Sequence, residues 1–221
     1  MNEKIIIEKT KQFVKKTLQS DATGHDWFHI ERVLHIALYI AKKEKQVNLL
    51  TVQLGALLHD IADWKFHNGN STIGPKITRE WLTSLSIDKK IIDEVCFIVE
   101  YISYKAGTNK KMQTKEGMIV QDADRLDALG AIGIARAFAY GGYKNREIYN
   151  PSIKINTQHN AKKYLRANGT TINHFYEKLL LLKDLMNTKP AKKIAEKREK
   201  FMKQFLNEFY KEWGSKKVLP L

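Results

Sequence analysis

Two histidines and a set of aspartates stand where this 221-residue sequence otherwise calls for apolar side chains. His59 and Asp60 directly follow Gly55-Ala56-Leu57-Leu58 and precede Ile61-Ala62. A carboxylate buried there is costly unless its charge is compensated, and a bound cation compensates it directly. His29 shares a helical face with Val33 and Ile36, so it also points inward. The segment Met118 to Leu129 carries Asp122, Asp124 and Asp127 within an apolar pattern. Asp124 lies with Val120, Ala123 and Ala131, Asp122 lies near Met118 and Ile119, and Asp127 is one turn beyond Asp124. Periodicity alone does not choose among the three.

Each group has an ordinary explanation when taken singly. An inward histidine is more often a hydrogen-bonded core residue than a ligand, and Asp60 could cap a helix or pair with an arginine. Several such groups on three helices call for a common one, and a metal ion supplies it.

The elements that must position these residues are helical throughout, because apolar residues recur with a helical period and no useful stretch alternates with a strand period. Helices are expected at about 2–18, across Ile30, Val33, Leu34, Ala37, Ile40 and Ala41, and at 49–62, 75–85, 88–103, 116–140, 157–167, 170–187 and 190–213. Gly141-Gly142 is expected to end the long helix, and 143–156 reads as irregular around Pro151. In the last helix Ile194, Arg198, Phe201, Phe205, Phe209 and Trp213 form a stripe that reads as core packing rather than a base-stacking platform. No repeat or linker divides the chain, so the expected architecture is one all-α domain over 1–221.

Hydrophobic residues at 43% and charged residues at 28% exclude wholesale disorder. The single cysteine, Cys96, excludes a disulfide framework. The charged N-terminus has no apolar signal region, and no apolar run reaches the roughly 18 residues of a membrane span, which places the protein in the cytoplasm away from membranes. A formal net charge of +14 suits an anionic ligand. The lysines are scattered rather than gathered in one tract, so nucleic acid is the less favoured partner.

His29-Ile30-Glu31-Arg32-Val33, His59-Asp60 and Asp122-Ala123-Asp124-Arg125-Leu126 together resemble the H…HD…D signature of the HD-domain superfamily of metal-dependent phosphohydrolases. The likeness is closest to a small bacterial branch with Gly-His-Asp before the first ligand, here Gly24-His25-Asp26, and with Leu-Leu-His-Asp-Ile-Ala-Asp, here 57–63. It runs from about 22 to 150, with the C-terminal helices 157–213 as that branch's extension packing on the core.

The resemblance implies that His29, His59, Asp60 and Asp124 are metal ligands. Two imidazoles and two carboxylates suit Mn²⁺ first, with Fe²⁺, Co²⁺, Ni²⁺, Zn²⁺ or Mg²⁺ also compatible. Asp63 falls where related hydrolases carry an acid that helps activate water, so it is the expected catalytic residue. Lys65, His67 and Arg125 are candidates for substrate phosphates, and His25 and Asp26 are expected behind the ligands. The implied substrate is a phosphorylated small molecule, a nucleotide first, cleaved as a pyrophosphohydrolase or as a phosphomonoesterase or phosphodiesterase. The implied assembly is a monomer or homodimer.

Two other readings compete. A basic helical module with a structural or vestigial metal would bind nucleic acid and ignore metal removal. His25-Asp26-Trp27-Phe28-His29 also sets two histidines four apart around an acid, as in zinc proteases. There the acid is Asp rather than Glu, and His59-Asp60 and the later aspartates stay unexplained.

Overall fold

Seven of the described helices open on a side chain that accepts a hydrogen bond from their own first turn: Asn2, Asp26, Asn48, Asp88, Thr114, Thr170 and Thr188. Each oxygen takes an N–H that the first turn of a helix leaves without a partner. A computed structural model describes residues 2–18, 26–62, 70, 72–103, 112–156 and 169–214. The chain runs through α1 (Glu3–Thr17), α2 (Trp27–Ala41), α3 (Leu49–Leu58), α4 (Ile73–Ser84), α5 (Lys89–Tyr101), α6 (Lys115–Asp127) and α7 (Gly130–Tyr143). After these come α8 (Thr171–Glu177), a 3-10 helix (Leu179–Leu185) and α9 (Lys189–Glu212). There is no strand among the described residues.

The centre is α3, buried along nearly its whole length from Leu50 to Leu58. Gly55 lets it approach its neighbours: a methyl there would sit 3.3 Å from both Ile98 of α5 and Val120 of α6. Helix α2 packs on both α3 and α6, so the three elements that carry the candidate ligands share one interface. Helix α1 lies over α3, and α4 over α5. Phe13 of α1 stacks on Trp81 of α4 at 4.2 Å between ring centres, while the Trp81 indole N–H donates to Thr10 Oγ1 at 3.1 Å.

The structure departs from the expected helices in four places. The helix expected to 62 stops at Leu58, and His59 to Ala62 form turns. The helix expected over 116–140 is broken into α6 and α7 at Gly130, which adopts φ +76° in the left-handed region that glycine alone enters without strain. Arg198 of α9 packs against that glycine and donates to the Leu126 carbonyl, closing the end of α6. Helix α7 then continues through Gly141 to Tyr143, and Thr171 Oγ1 occupies the place where a side chain at 141 would be. The span 170–187 is α8 followed by the 3-10 helix, separated at Lys178. The helix expected over 157–167 lies outside the described residues.

The buried stripe of α9 is also rotated from the expected one. It consists of Ala191, Ala195, Met202, Leu206 and Tyr210, with Phe205 and Phe209 at its flank and Phe201 and Trp213 exposed. Each of these five positions lies three residues before one of the expected stripe, which is about 60° around a helix that advances by about 100° per residue. Asn156 is tied back to α8 through the Glu177 carboxylate at 2.9 Å, and the Thr171 and Ile172 amides donate to the carbonyls of Glu147 and Ile148.

Candidate metal centre

The end of α3 orients the first candidate ligand. A helix leaves its last carbonyls without intrahelical partners. Here the His59 Nδ1–H donates to the Ala56 carbonyl at 2.8 Å, which turns Nε2 toward α2. His29 on α2 is fully buried and uses its own Nδ1 on Asp127 Oδ2 at 2.7 Å. Its backbone amide donates to Asp26, so the cap of α2 sets the register of His29. With both Nδ1 atoms acting as donors, the neutral rings present their Nε2 lone pairs to each other at 3.2 Å.

Two carboxylates reach the same point. Asp60 Oδ2 lies 3.4 Å from His29 Nε2 and 3.6 Å from His59 Nε2. Asp124 Oδ1 lies 3.5 and 3.8 Å from the same atoms. Ligand atoms of His29, His59 and Asp124 fall within 4.8 Å of one another. Ligands held about 2.1 Å from one cation are themselves about 3 to 3.5 Å apart. Two lone pairs and two carboxylate oxygens at this spacing fit a divalent cation by donor chemistry and by reach.

The three aspartates of α6 have three different surroundings. Asp122 is fully buried and accepts from the backbone and side chain of both Asn187 and Thr188, each at 2.8 Å, at the entry to α9. Burial raises its pKa, against the pull of those bonds. Asp124 faces the histidines. Asp127 accepts from His29, from Arg32 Nε and Nη2 at 2.7 and 3.0 Å, and from Arg136 Nη1 at 2.7 Å. Burial alone would push the Asp127 carboxyl up. The bonds from His29 and Arg32, with the charges of His29 and Arg136, instead hold it well below the ordinary carboxylate range.

For His29, burial opposes protonation, yet the Asp127 and Asp60 carboxylates more than offset it and raise the pKa above the ordinary imidazole value. This holds for the metal-free ring. A cation and a proton compete for the same Nε2.

Of the residues singled out from the sequence, His29, His59, Asp60 and Asp124 come together here. Arg125 is buried, and its guanidinium donates to the Leu185 carbonyl on the C-terminal side of α6. Asp63, Lys65, His67 and His25 lie outside the described residues. Arg32 and Arg136 were not singled out, and Asp127 was weighed only as a ligand. The available signal was spacing: Arg32 is one turn from His29, and Asp127 is one turn from Asp124.

A family model described as HD domain matches residues 27–129, from the start of α2 to the break after α6. The Bacillus subtilis (strain 168) protein YpgQ is 35% identical over 209 residues, covering 93% of this chain and 92% of its own. Its crystal structure in complex with ADP matches with a TM-score of 0.75 over 96% of this chain and 97% of that one. An HD-superfamily hydrolase from Bacillus thuringiensis matches at TM-score 0.75 and 42% identity, over 97% of this chain and 100% of that one. A Lactobacillus plantarum protein matches at 0.85 and 34% identity, over 97% and 99%.

This chain belongs to the HD-domain superfamily and is an all-α hydrolase of the metal-dependent phosphohydrolase class.

Proposed function

We propose that His29, His59, Asp60 and Asp124 hold a divalent cation, Mn²⁺ by preference, and that the enzyme hydrolyses a nucleotide, most readily a nucleoside triphosphate with release of pyrophosphate. The observation that carries this reading is the convergence of two imidazole lone pairs and two carboxylates on one point, each imidazole held by a donor bond on its far nitrogen. The ADP bound by YpgQ supports a nucleotide as the ligand class. No described helix is long and apolar enough to cross a membrane.

When bound, the cation supplies Lewis acidity that favours attack of water on phosphorus and offsets charge on the phosphoryl group. The protein's part is to keep that position ready. Asp127 and the Ala56 carbonyl hold both imidazoles in the tautomer that leaves Nε2 open, so no rearrangement of the rings accompanies loading. Asp60 and Asp124 bring negative charge that favours a cation over a proton at the centre. We assign to Asp63 the role of accepting a proton from the attacking water, and to Lys65 and His67 contact with substrate phosphates.

The test is hydrolysis of a panel of nucleoside mono-, di- and triphosphates and simple phosphoesters by chelator-treated protein, with and without added Mn²⁺, beside Asp60→Ala. Metal-dependent release of pyrophosphate or phosphate that disappears in the variant is the expected result, and the product identifies the bond. No hydrolysis with any metal, and equal metal content in both proteins, would remove the reading.

A further inference from the structure

Asp127 is one carboxylate shared by two permanent cations. Arg32 of α2 and Arg136 of α7 both bond its Oδ2, which places the two guanidiniums side by side on a single oxygen. The pair therefore carries one positive charge more than Asp127 neutralises. Asp26 also lies near enough to Arg32 to favour its charge, but its carboxylate is engaged in capping α2.

The two arginines are the more exposed members of this cluster. The Asp127 side chain is 2% exposed and that of His29 is 0%, whereas Arg32 is 33% and Arg136 21% exposed. The arginines thus form the solvent side of a buried Asp–His pair. Asp124 and Asp127 are one turn apart on α6, so the metal-facing carboxylate and the arginine-held one share a helix face. Asp124 is itself 28% exposed. Arg32 keeps Nη1, and Arg136 keeps Nε and Nη2, without a hydrogen bond among the described residues. A pair of clamped guanidiniums with unused N–H groups, one imidazole ring away from the cation donors, suits an anionic oxygen next to the reacting group.

We propose that Arg32 and Arg136 form a second anion subsite, which takes the phosphate adjacent to the one under attack and so selects nucleoside di- and triphosphates over monophosphates. This rests on the nucleotide phosphohydrolase reading. A simple clamp would need only to hold Asp127, and the bidentate Arg32 already does that. The second arginine, half-buried and paired to the same oxygen, has charge left for a ligand.

The experiment measures binding rather than turnover, so failed hydrolysis would remove the phosphohydrolase reading without deciding this one. Affinities of Mn²⁺-loaded protein for α,β-methylene-ADP and for AMP are determined by calorimetry, together with Mn²⁺ affinity, for wild type, Arg136→Gln, Arg136→Lys and Arg32→Gln. Loss of charge-assisted bonds predicts that Arg136→Gln weakens the diphosphate analogue by about tenfold or more, with AMP and Mn²⁺ changed by less than about threefold. Arg136→Lys, which keeps the charge and loses the fork, falls between and serves if the glutamine variant does not fold. The proposal is overturned if wild type binds the two nucleotides equally. It also fails if both weaken together or neither does, or if Mn²⁺ affinity falls in step with the diphosphate, which would make the arginines a clamp alone.

Discussion

His29 Nε2 and His59 Nε2 lie 3.2 Å apart, with the far nitrogen of each ring donating to Asp127 and to the Ala56 carbonyl. Two lone pairs facing each other at that distance repel, and the Asp60 and Asp124 carboxylates beside them add negative charge. A proton on His29 Nε2, which the neighbouring carboxylates favour, or one cation relieves that repulsion. Four measurable consequences follow from this and from the neighbouring aspartates.

Loading the metal should stabilise the fold. At a free Mn²⁺ concentration one hundred times its Kd, linkage gives about 2.7 kcal/mol, which raises Tm by roughly 5–10 °C in a chain of this size. Differential scanning of chelator-treated protein titrated with Mn²⁺ reads this directly. An unchanged Tm at saturating metal would contradict the site.

Asp127→Asn should weaken Mn²⁺ by about ten- to a hundredfold while leaving helical content intact. An amide can offer its NH₂ to His29 Nδ1, and the ring then presents its proton on Nε2, where the cation needs a lone pair. Equilibrium metal binding and far-ultraviolet circular dichroism separate the two effects, and an unaltered Kd would show that Asp127 does not orient the ring.

The metal-free and metal-loaded proteins should respond oppositely to pH. The pKa of His29 is raised in the metal-free fold. Its contribution to stability is therefore complete below the unfolded value of about 6.5 and is lost as pH rises through the higher folded value. Protonation at Nε2 excludes the cation, so metal affinity rises over that same window. The Mn²⁺-induced increase in Tm should accordingly grow as pH rises above about 6.5, and a flat increase would count against competition at His29.

Asp122→Ala and Asp124→Ala should separate structure from metal. Removing Asp122 strips four hydrogen bonds from the entry to α9, leaves donors of Asn187 and Thr188 without this partner, and should lower Tm of the metal-free protein by about 5–10 °C. Removing Asp124 should leave the metal-free Tm within a few degrees and abolish the increase on adding Mn²⁺. The reverse pattern would exchange their roles.

The candidate ligands on α2 and at the end of α3 were legible as buried polar groups because they interrupt strong local patterns. His29 sits on the face of Val33, and His59-Asp60 closes an apolar run, so burial followed from spacing and the need for compensation from charge. The choice among Asp122, Asp124 and Asp127 was not legible. All three lie within one short helix, and their roles come from partners far along the chain: Asn187 and Thr188 for Asp122, His29 and His59 for Asp124, and Arg32 and Arg136 for Asp127. The break at Gly130 had a local sign in the glycine itself, but the residue that fills the gap, Arg198, arrives from α9.

By itself the sequence determined the all-α class and the burial of His29 and the His59–Asp60 pair, because helical period acts over a few neighbouring residues. Only the tertiary structure decided which aspartate meets the histidines, which nitrogen of each ring is left open, and that two arginines share one carboxylate. Those are distances between side chains from different helices, and they are set by how α2, α3, α6, α7 and α9 pack.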